Sequence, residues 1–314
     1  MDKRIVVGSA LVFSLLSACG GGGGGGSAGG VNSTPTPPPA SFSSFAAVPA
    51  GTSISIAGDT REGSLRIDNT GAILQNDVAT PTEGTGSATF SLNSARQLSG
   101  LTLSGAQSNV VFDSSSYSET LYRNGLPVAA VVYNASGSNQ ALFGDPYVLG
   151  FNYQTFGVWG TGLVRGQTGK FGAISVGSKT SASSVPTTGS VTYRGYAGGI
   201  YTDGAIYRYA ADATFNVNFG NRTVAFSTSN QTLTSINTGV TSATGILQIS
   251  GLMAYGAGTT KFSGNLSANG LTSLLPLSGT GSGTFYGPTA NELGGTFFLR
   301  GPTTTLVGGF GGKQ

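Results

Sequence analysis

"YRYAADATFNVNFGNRTVAFSTS" occupies residues 207–229. Tyr207, Tyr209, Ala211, Ala213, Phe215, Val217 and Phe219 alternate there with Arg208, Ala210, Asp212, Thr214, Asn216 and Asn218. A period of two puts one set on each face of a strand, the first apolar and the second polar. Gly220-Asn221 follows and offers positive φ at both central positions of a two-residue turn. That turn sets Val217 opposite Val224, Phe215 opposite Phe226 and Ala213 opposite Thr228. A slip of one residue would send Val224 and Phe226 to the polar face, so pattern and turn select the same register.

The chain beyond this hairpin repeats the pattern. "SVTYRGYAG" (190–198) reads as a strand, and "GILQISGLMAYG" (245–256) with "TKFSGNLSA" (260–268) as a second hairpin. "GSGTFYG", "ELGGTFFLRG" and "TTLVGGFGGKQ" give three more short strands between turns. About eight strands after residue 190 would hide their edges best by closing into an antiparallel barrel. The fold class is therefore all-β: an antiparallel, about eight-stranded C-terminal barrel over residues 181–314. A smaller β-rich region precedes it over residues 46–180. "SKTSASSVPTTG" (178–189), small and polar, marks the boundary between the two.

The N-terminus reads differently. Lys3 and Arg4 precede an almost wholly apolar run, Ile5 to Leu16, and Leu16-Ser17-Ala18 leads into Cys19. This is the layout of a secretory signal over residues 1–18. The apolar run falls short of the roughly 20 residues that span a bilayer. Cys19 is the chain's one cysteine. Leu16-Ser17-Ala18-Cys19 resembles the bacterial lipobox, which implies lipidation of Cys19, with the membrane as its first partner. Gly20 to Gly30 and "STPTPPP" (33–39) then read as a flexible and stiffening tether over residues 19–45.

Composition excludes much chemistry. With no histidine there is no Ser-His-Asp triad, no imidazole base and no Cys/His zinc site. Haem iron could be held axially only by Tyr or Met. "GSGTFYG" (281–287) has the look of a phosphate loop but lacks the following Lys-Ser/Thr and a helix. Asp59 and Glu62 lie in "AGDTREGS" (57–64), which reads as a turn with solvated charges. Basic residues are spread singly and the net charge is only +3, so nucleic acid is not an expected partner. No catalytic residue, metal ligand or cofactor is assigned.

"GTFYGPTANELGGTFFL" (283–299) resembles the barrel signature of the transferrin-binding protein B-like surface lipoproteins. Phe285, Tyr286, Gly287, Pro288, Ala290, Glu292, Leu293, Gly294, Gly295 and Phe297 carry the likeness. "GGFGGKQ" (308–314) is similar to the family's closing strand, "TGSVTYRGYAGG" (188–199) to its opening strand, and "FNVNFGNRTV" (215–224) to its second hairpin. The resemblance covers roughly residues 181–314, and it implies that residues 46–180 form a handle beside the barrel. It further implies a lipid-anchored, non-catalytic, monomeric protein of the outer membrane, surface-exposed as members of that family often are. Such a protein binds a host or environmental protein, haem, an iron carrier or another solute through its loops. A structural envelope protein without a dedicated ligand is the alternative. Large receptors of the family carry two handle–barrel lobes, and this chain has room for one.

Aromatic side chains are the natural binding candidates, because exposed aromatics make strong contact points. The candidates are Tyr196, Tyr201 and Tyr207 with Phe151, Tyr153, Phe156 and Trp159 of the handle; for each the alternative is a ring packed in the core. Tyr201 stands first, since "GGIYTDG" (198–204) reads as a loop.

Overall fold

The computed structural model describes residues 42–314 apart from 74–77, 114–115, 124–125, 237, 244–246 and 270–275. The signal, Cys19 and the tether before residue 42 lie outside the described residues. Phe45, placed by the sequence at the tether's end, is instead buried, and its N–H donates to the Asn152 carbonyl at 2.7 Å.

Residues 42–314 form one compact unit containing two nine-stranded antiparallel sheets. The first holds β1 (Ser53–Arg66), β2 (Thr82–Leu92), β3 (Leu98–Ser104), β4 (Asn109–Phe112) and β5 (Tyr117–Arg123). It continues with β6 (Leu126–Tyr133), β7 (Gln140–Gly144), β8 (Gln154–Thr161) and β9 (Thr168–Gly177). Two meanders, β1 to β4 and β5 to β9, join along β1 and β9. A single helical turn, α1 (Pro146–Leu149), lies between β7 and β8. Asp145 caps it by accepting from the Tyr147 and Val148 N–H groups, and Gly150 ends it with φ 66°.

The second sheet holds β10 (Ser190–Thr202), β11 (Ile206–Asn218), β12 (Thr223–Ser235), β13 (Thr241–Ala243) and β14 (Ile249–Tyr255). β15 (Lys261–Ala268), β16 (Leu277–Tyr286), β17 (Glu292–Arg300) and β18 (Thr305–Lys313) complete it. β10 pairs with both β11 and β18, and β11 also pairs with β12, so the sheet closes on itself. β13 hangs on β12 outside the ring, which leaves eight strands in the barrel.

The hairpin of residues 207–229 has the expected register, with Val217↔Val224, Phe215↔Phe226 and Ala213↔Thr228. Its turn differs. Strand pairing stops at Asn218↔Thr223, and the positive φ falls on Arg222, at 55°. Asn218 Oδ1 accepts the Asn221 N–H at 2.8 Å, so four residues close the loop rather than two. Both closures place the same residues opposite each other, and the register survives the change.

The barrel interior is packed solid. Tyr193, Tyr209, Phe215, Phe226, Phe262 and Phe310 are among the buried residues of one continuous cluster. Phe215 stacks on Phe226 at 4.8 Å between centroids. Room for these rings comes from glycine: Phe262 faces Gly283, Phe310 faces Gly295 and Phe297 faces Gly308 across neighbouring strands. Each buried ring contributes about 2 kcal/mol of apolar transfer free energy.

Two corrections concern charge and loops. Asp59 and Glu62 are not in a turn but in the middle of β1, and Glu62 is buried. Tyr201 is not in a loop but on β10, paired with Tyr207 and Leu306, and it is 0% exposed.

Candidate functional site

β8 and β9 lie across β17 and β18, so the first sheet packs one face on the outer wall of the barrel. Polar side chains pin this seam. Glu292, the first residue of β17, accepts the N–H groups of Asn152, Tyr153 and Gln154 at 2.6, 2.9 and 3.1 Å. Burial pushes its carboxyl pKa up, against the pull of those three donors. Tyr286 and Ser175 share a hydrogen bond of 2.8 Å, and burial raises the Tyr286 phenol strongly. Arg61 of β1 reaches Thr280 on the barrel at 3.0 Å and Glu83 on β2 at 2.7 Å. Burial lowers the Arg61 pKa while Glu83 supports its charge. Residues 178–180 continue the clamp: Thr180 N–H donates to the Phe285 carbonyl and Gly287 N–H to that of Ser178.

Between these pins the seam opens into an apolar cleft of about 740 Å³, its solvent-open mouth included. One wall is the barrel surface. Ile200 and Thr202 of β10 point outward there, because their neighbour Tyr201 points inward. Strand pairing sets Arg208, Ile200, Val307 and Phe298 in one row, and Ile206, Thr202 and Thr305 in the next. The opposite wall is the first sheet, with Leu142, Val158 and Phe171 facing the barrel. Leu65, Ile73, Val78 and Leu163 contribute further apolar surface. Phe171, on the cleft wall, stacks on Phe298 at 6.5 Å and 21°. Among the described residues that line the cleft, Arg208 is the one that carries a charge.

Trp159 is among the residues along the cleft, but its ring packs in the core on the other face of the first sheet, where its position is fixed. Its Nε1–H donates to Ser108 Oγ at 2.9 Å, and Ser108 donates to Glu62 Oε1 at 2.6 Å. Glu62 Oε2 takes the Gln107 N–H at 2.8 Å. The buried carboxylate on β1 therefore acts as an anchor for the tryptophan.

Of the aromatic candidates, Trp159 and Phe156 are 2% and 4% exposed, and Tyr201 is fully buried. Phe151 is buried as well. Each ring completes a core, the alternative open to all four, and for Tyr201 the expected loop position is corrected to a strand. Tyr196 is half-buried and packs in the seam. Tyr207 is half-buried against the barrel core. Tyr153 is half-buried, its ring beside Gly287. Arg208, Ile200 and Ile206 were not singled out by sequence. The signal present was two isoleucines on the nominally polar face of the 190–218 strands, near the end that meets the first sheet.

Residues 185–314 match the family model described as the C-lobe and N-lobe β-barrels of transferrin-binding protein B. The C-terminal barrel is thus similar to the barrels of that family. No curated protein sequence matches the chain. Solved structures similar to it include a transferrin-binding protein B variant from Haemophilus parasuis Hp5, at 14% identity. That match covers 85% of this chain and 76% of the other, with a TM-score of 0.38. The isotype 1 transferrin-binding protein B of serogroup B Neisseria meningitidis matches at 13% identity, 84% and 77% coverage and a TM-score of 0.39. The N-lobe domain of lactoferrin-binding protein B from Moraxella bovis matches at 12%, with 63% and 97% coverage and a TM-score of 0.34.

Proposed function

We propose that the chain is a non-catalytic binding lipoprotein of the outer membrane, held by acylated Cys19 and carrying its handle and barrel on a Gly/Pro-rich tether. Its partner is an extracellular or periplasmic molecule: a host protein, haem or an iron carrier, or another solute. The family match over residues 185–314 is the observation that carries this reading. The composition agrees with it, since a chain without histidine is poorly equipped for acid–base catalysis near neutral pH. Lipid anchoring rests on the lipobox at Leu16-Ser17-Ala18-Cys19.

Protease shaving of intact cells tests the reading, with Cys19→Ala as the control. Loss of the protein from intact cells places it outside and favours a macromolecular ligand. Protection until the outer membrane is opened overturns surface display and favours a solute. Cys19→Ala should release the chain from the membrane fraction; retention of that variant would overturn lipid anchoring.

A structural envelope role is the second reading. It is favoured by the sequence's many bland Gly/Ser/Thr loops, which offer few aromatic or charged contact points.

A further inference from the structure

We propose that the barrel end carrying Arg194, Arg222 and Lys313 docks on an anionic bilayer surface, its cations against the lipid phosphates. The inference rests on reading the chain as membrane-anchored, and it names the face that the anchored protein turns to the bilayer.

Basic residues that stand singly in the sequence are gathered by the fold. β10, β12, β15 and β17 begin at one end of the barrel, and β11, β14, β16 and β18 finish there. Arg222 lies in the loop between β11 and β12, Lys261 opens β15 and Lys313 closes β18. Arg194 of β10 stands directly opposite Lys313. All four side chains are exposed. The other end has Asp203 between β10 and β11, and Arg300 at the finish of β17.

Acidic side chains answer only part of this charge. Lys261 pairs with Glu83 at 3.1 Å, and Lys179 with Asp59 at 2.9 Å. Glu292 is the neighbour of Lys313 on β17, but it is buried and accepts three N–H groups. On the first sheet Arg96 and Asp145 line one recess and offset each other. Arg194 and Arg222 form no ion pair among the described residues. Like charges directly opposite on neighbouring strands destabilise a sheet, so Arg194 beside Lys313 is a cost that an external anion relieves.

The second observation is where the chain enters. Phe42, the first described residue, packs its ring on Phe45 at 4.7 Å. Phe45 N–H donates to the Asn152 carbonyl, Asn152 N–H to Glu292, and Lys313 Nζ to the Gly150 carbonyl at 3.0 Å. The chain therefore joins the folded unit beside Lys313. From Cys19 to Phe42 a flexible coil spans roughly 25 Å. The 13 residues of β10 span about 43 Å. An anchor in the bilayer thus holds the cationic end near the phosphates and keeps the end with Asp203 a strand length away. Each cation near an anionic surface strengthens attachment about fivefold. With the lipid as anchor, the patch sets which face meets the membrane.

Energy transfer to the headgroups tests this. The mature chain from residue 19, with Cys19→Ala and an N-terminal histidine tag, is held on vesicles by a nickel-chelating lipid. A donor dye is placed on Ala257→Cys at the cationic end or on Thr303→Cys at the other. The acceptor dye sits on lipid headgroups, in phosphatidylcholine alone or mixed with phosphatidylglycerol. Transfer from residue 257 is expected to exceed that from 303 on the anionic vesicles and to fall on phosphatidylcholine alone. Arg194→Gln/Arg222→Gln/Lys313→Gln should lower the docked-to-free ratio about a hundredfold, at about fivefold per charge. Circular dichroism checks its fold, and Arg194→Gln/Arg222→Gln takes its place should it fail. Equal transfer from the two ends on anionic vesicles overturns the proposal. So does unchanged transfer from residue 257 on phosphatidylcholine or in a folded charge variant. The tag supplies the anchor here, so these outcomes do not depend on acylation, which the release or retention of Cys19→Ala in cell fractions decides separately.

Discussion

The ring of Phe297 lies across Gly308, its partner on the neighbouring strand, and a Cβ on that glycine would stand 2.2 Å from the ring. The same Cβ would meet the Gly198 carbonyl oxygen at 2.5 Å. Ring and backbone close in from two sides, and neither can yield without moving a strand. Gly308→Ala is therefore expected to destabilise by about 1–3 kcal/mol through overpacking. Urea unfolding measures it. A change below about 0.5 kcal/mol would show that β17 and β18 have slack at this pair.

Tyr201 fills the barrel core, and its hydroxyl finds no partner among the described residues. Burial drives its pKa well above the ordinary phenol value, with Asp203 and Tyr207 adding to the shift. Tyr201→Ala should then cost about 3–5 kcal/mol by leaving a cavity. Tyr201→Phe removes a desolvated hydroxyl and keeps the ring, so it should be neutral or stabilising by about 1 kcal/mol. Thermal unfolding of the two variants separates ring from hydroxyl. A Tyr201→Phe variant as unstable as the alanine one would mean the hydroxyl has a strong partner.

The sequence located this barrel well and this tyrosine badly, for one physical reason. Alternation over residues 207–219 depends on local side-chain direction, which any strand with one wet face must obey. The register of Phe215 and Phe226 was recoverable even though the turn was misread, because two- and four-residue closures share it. Gly198-Gly199 before Tyr201 looked like a loop signal. In the barrel, Gly199 sits where a Cβ would meet the Val307 carbonyl at 2.4 Å, so glycine there permits close strand approach. The charged run Asp59 to Glu62 likewise looked solvated. Its partners Lys179, Glu83 and Ser108 are distant in sequence. The cleft was invisible for the same reason, since its walls come from both sheets.

Arg61 is 4% exposed, while its partner Glu83 keeps 41% of its side chain open to solvent. Removing one member of the pair leaves the other's charge or hydrogen bonds unmatched. The double variant Arg61→Met/Glu83→Gln should therefore cost less than the sum of the two single variants. The coupling expected from a double-mutant cycle is about 1 kcal/mol, limited by the exposure of Glu83. Denaturant unfolding of the four proteins gives the value. Strict additivity would mean that Thr280 and Ser282, not Glu83, hold the guanidinium in place.

Glu292 joins the barrel to residues 152–154, and its titration gives the seam a pH dependence. Its ordinary pKa of 4.5 is raised in the folded protein, with burial outweighing the three N–H donors and Lys313. A carboxyl with a raised folded pKa adds stability that is full below the unfolded value and lost as pH rises through the folded one. Glu292→Gln carries no titrating group at that position, so it serves as the reference. The stability difference between the natural chain and this variant should be largest near pH 4 and shrink toward pH 7. Thermal unfolding across that range, in one buffer series at constant ionic strength, follows the difference directly. A difference that grows with pH would mean that the N–H groups of Asn152, Tyr153 and Gln154 overcome desolvation. The folded pKa would then lie below 4.5, and the clamp would be strongest with the carboxylate ionised.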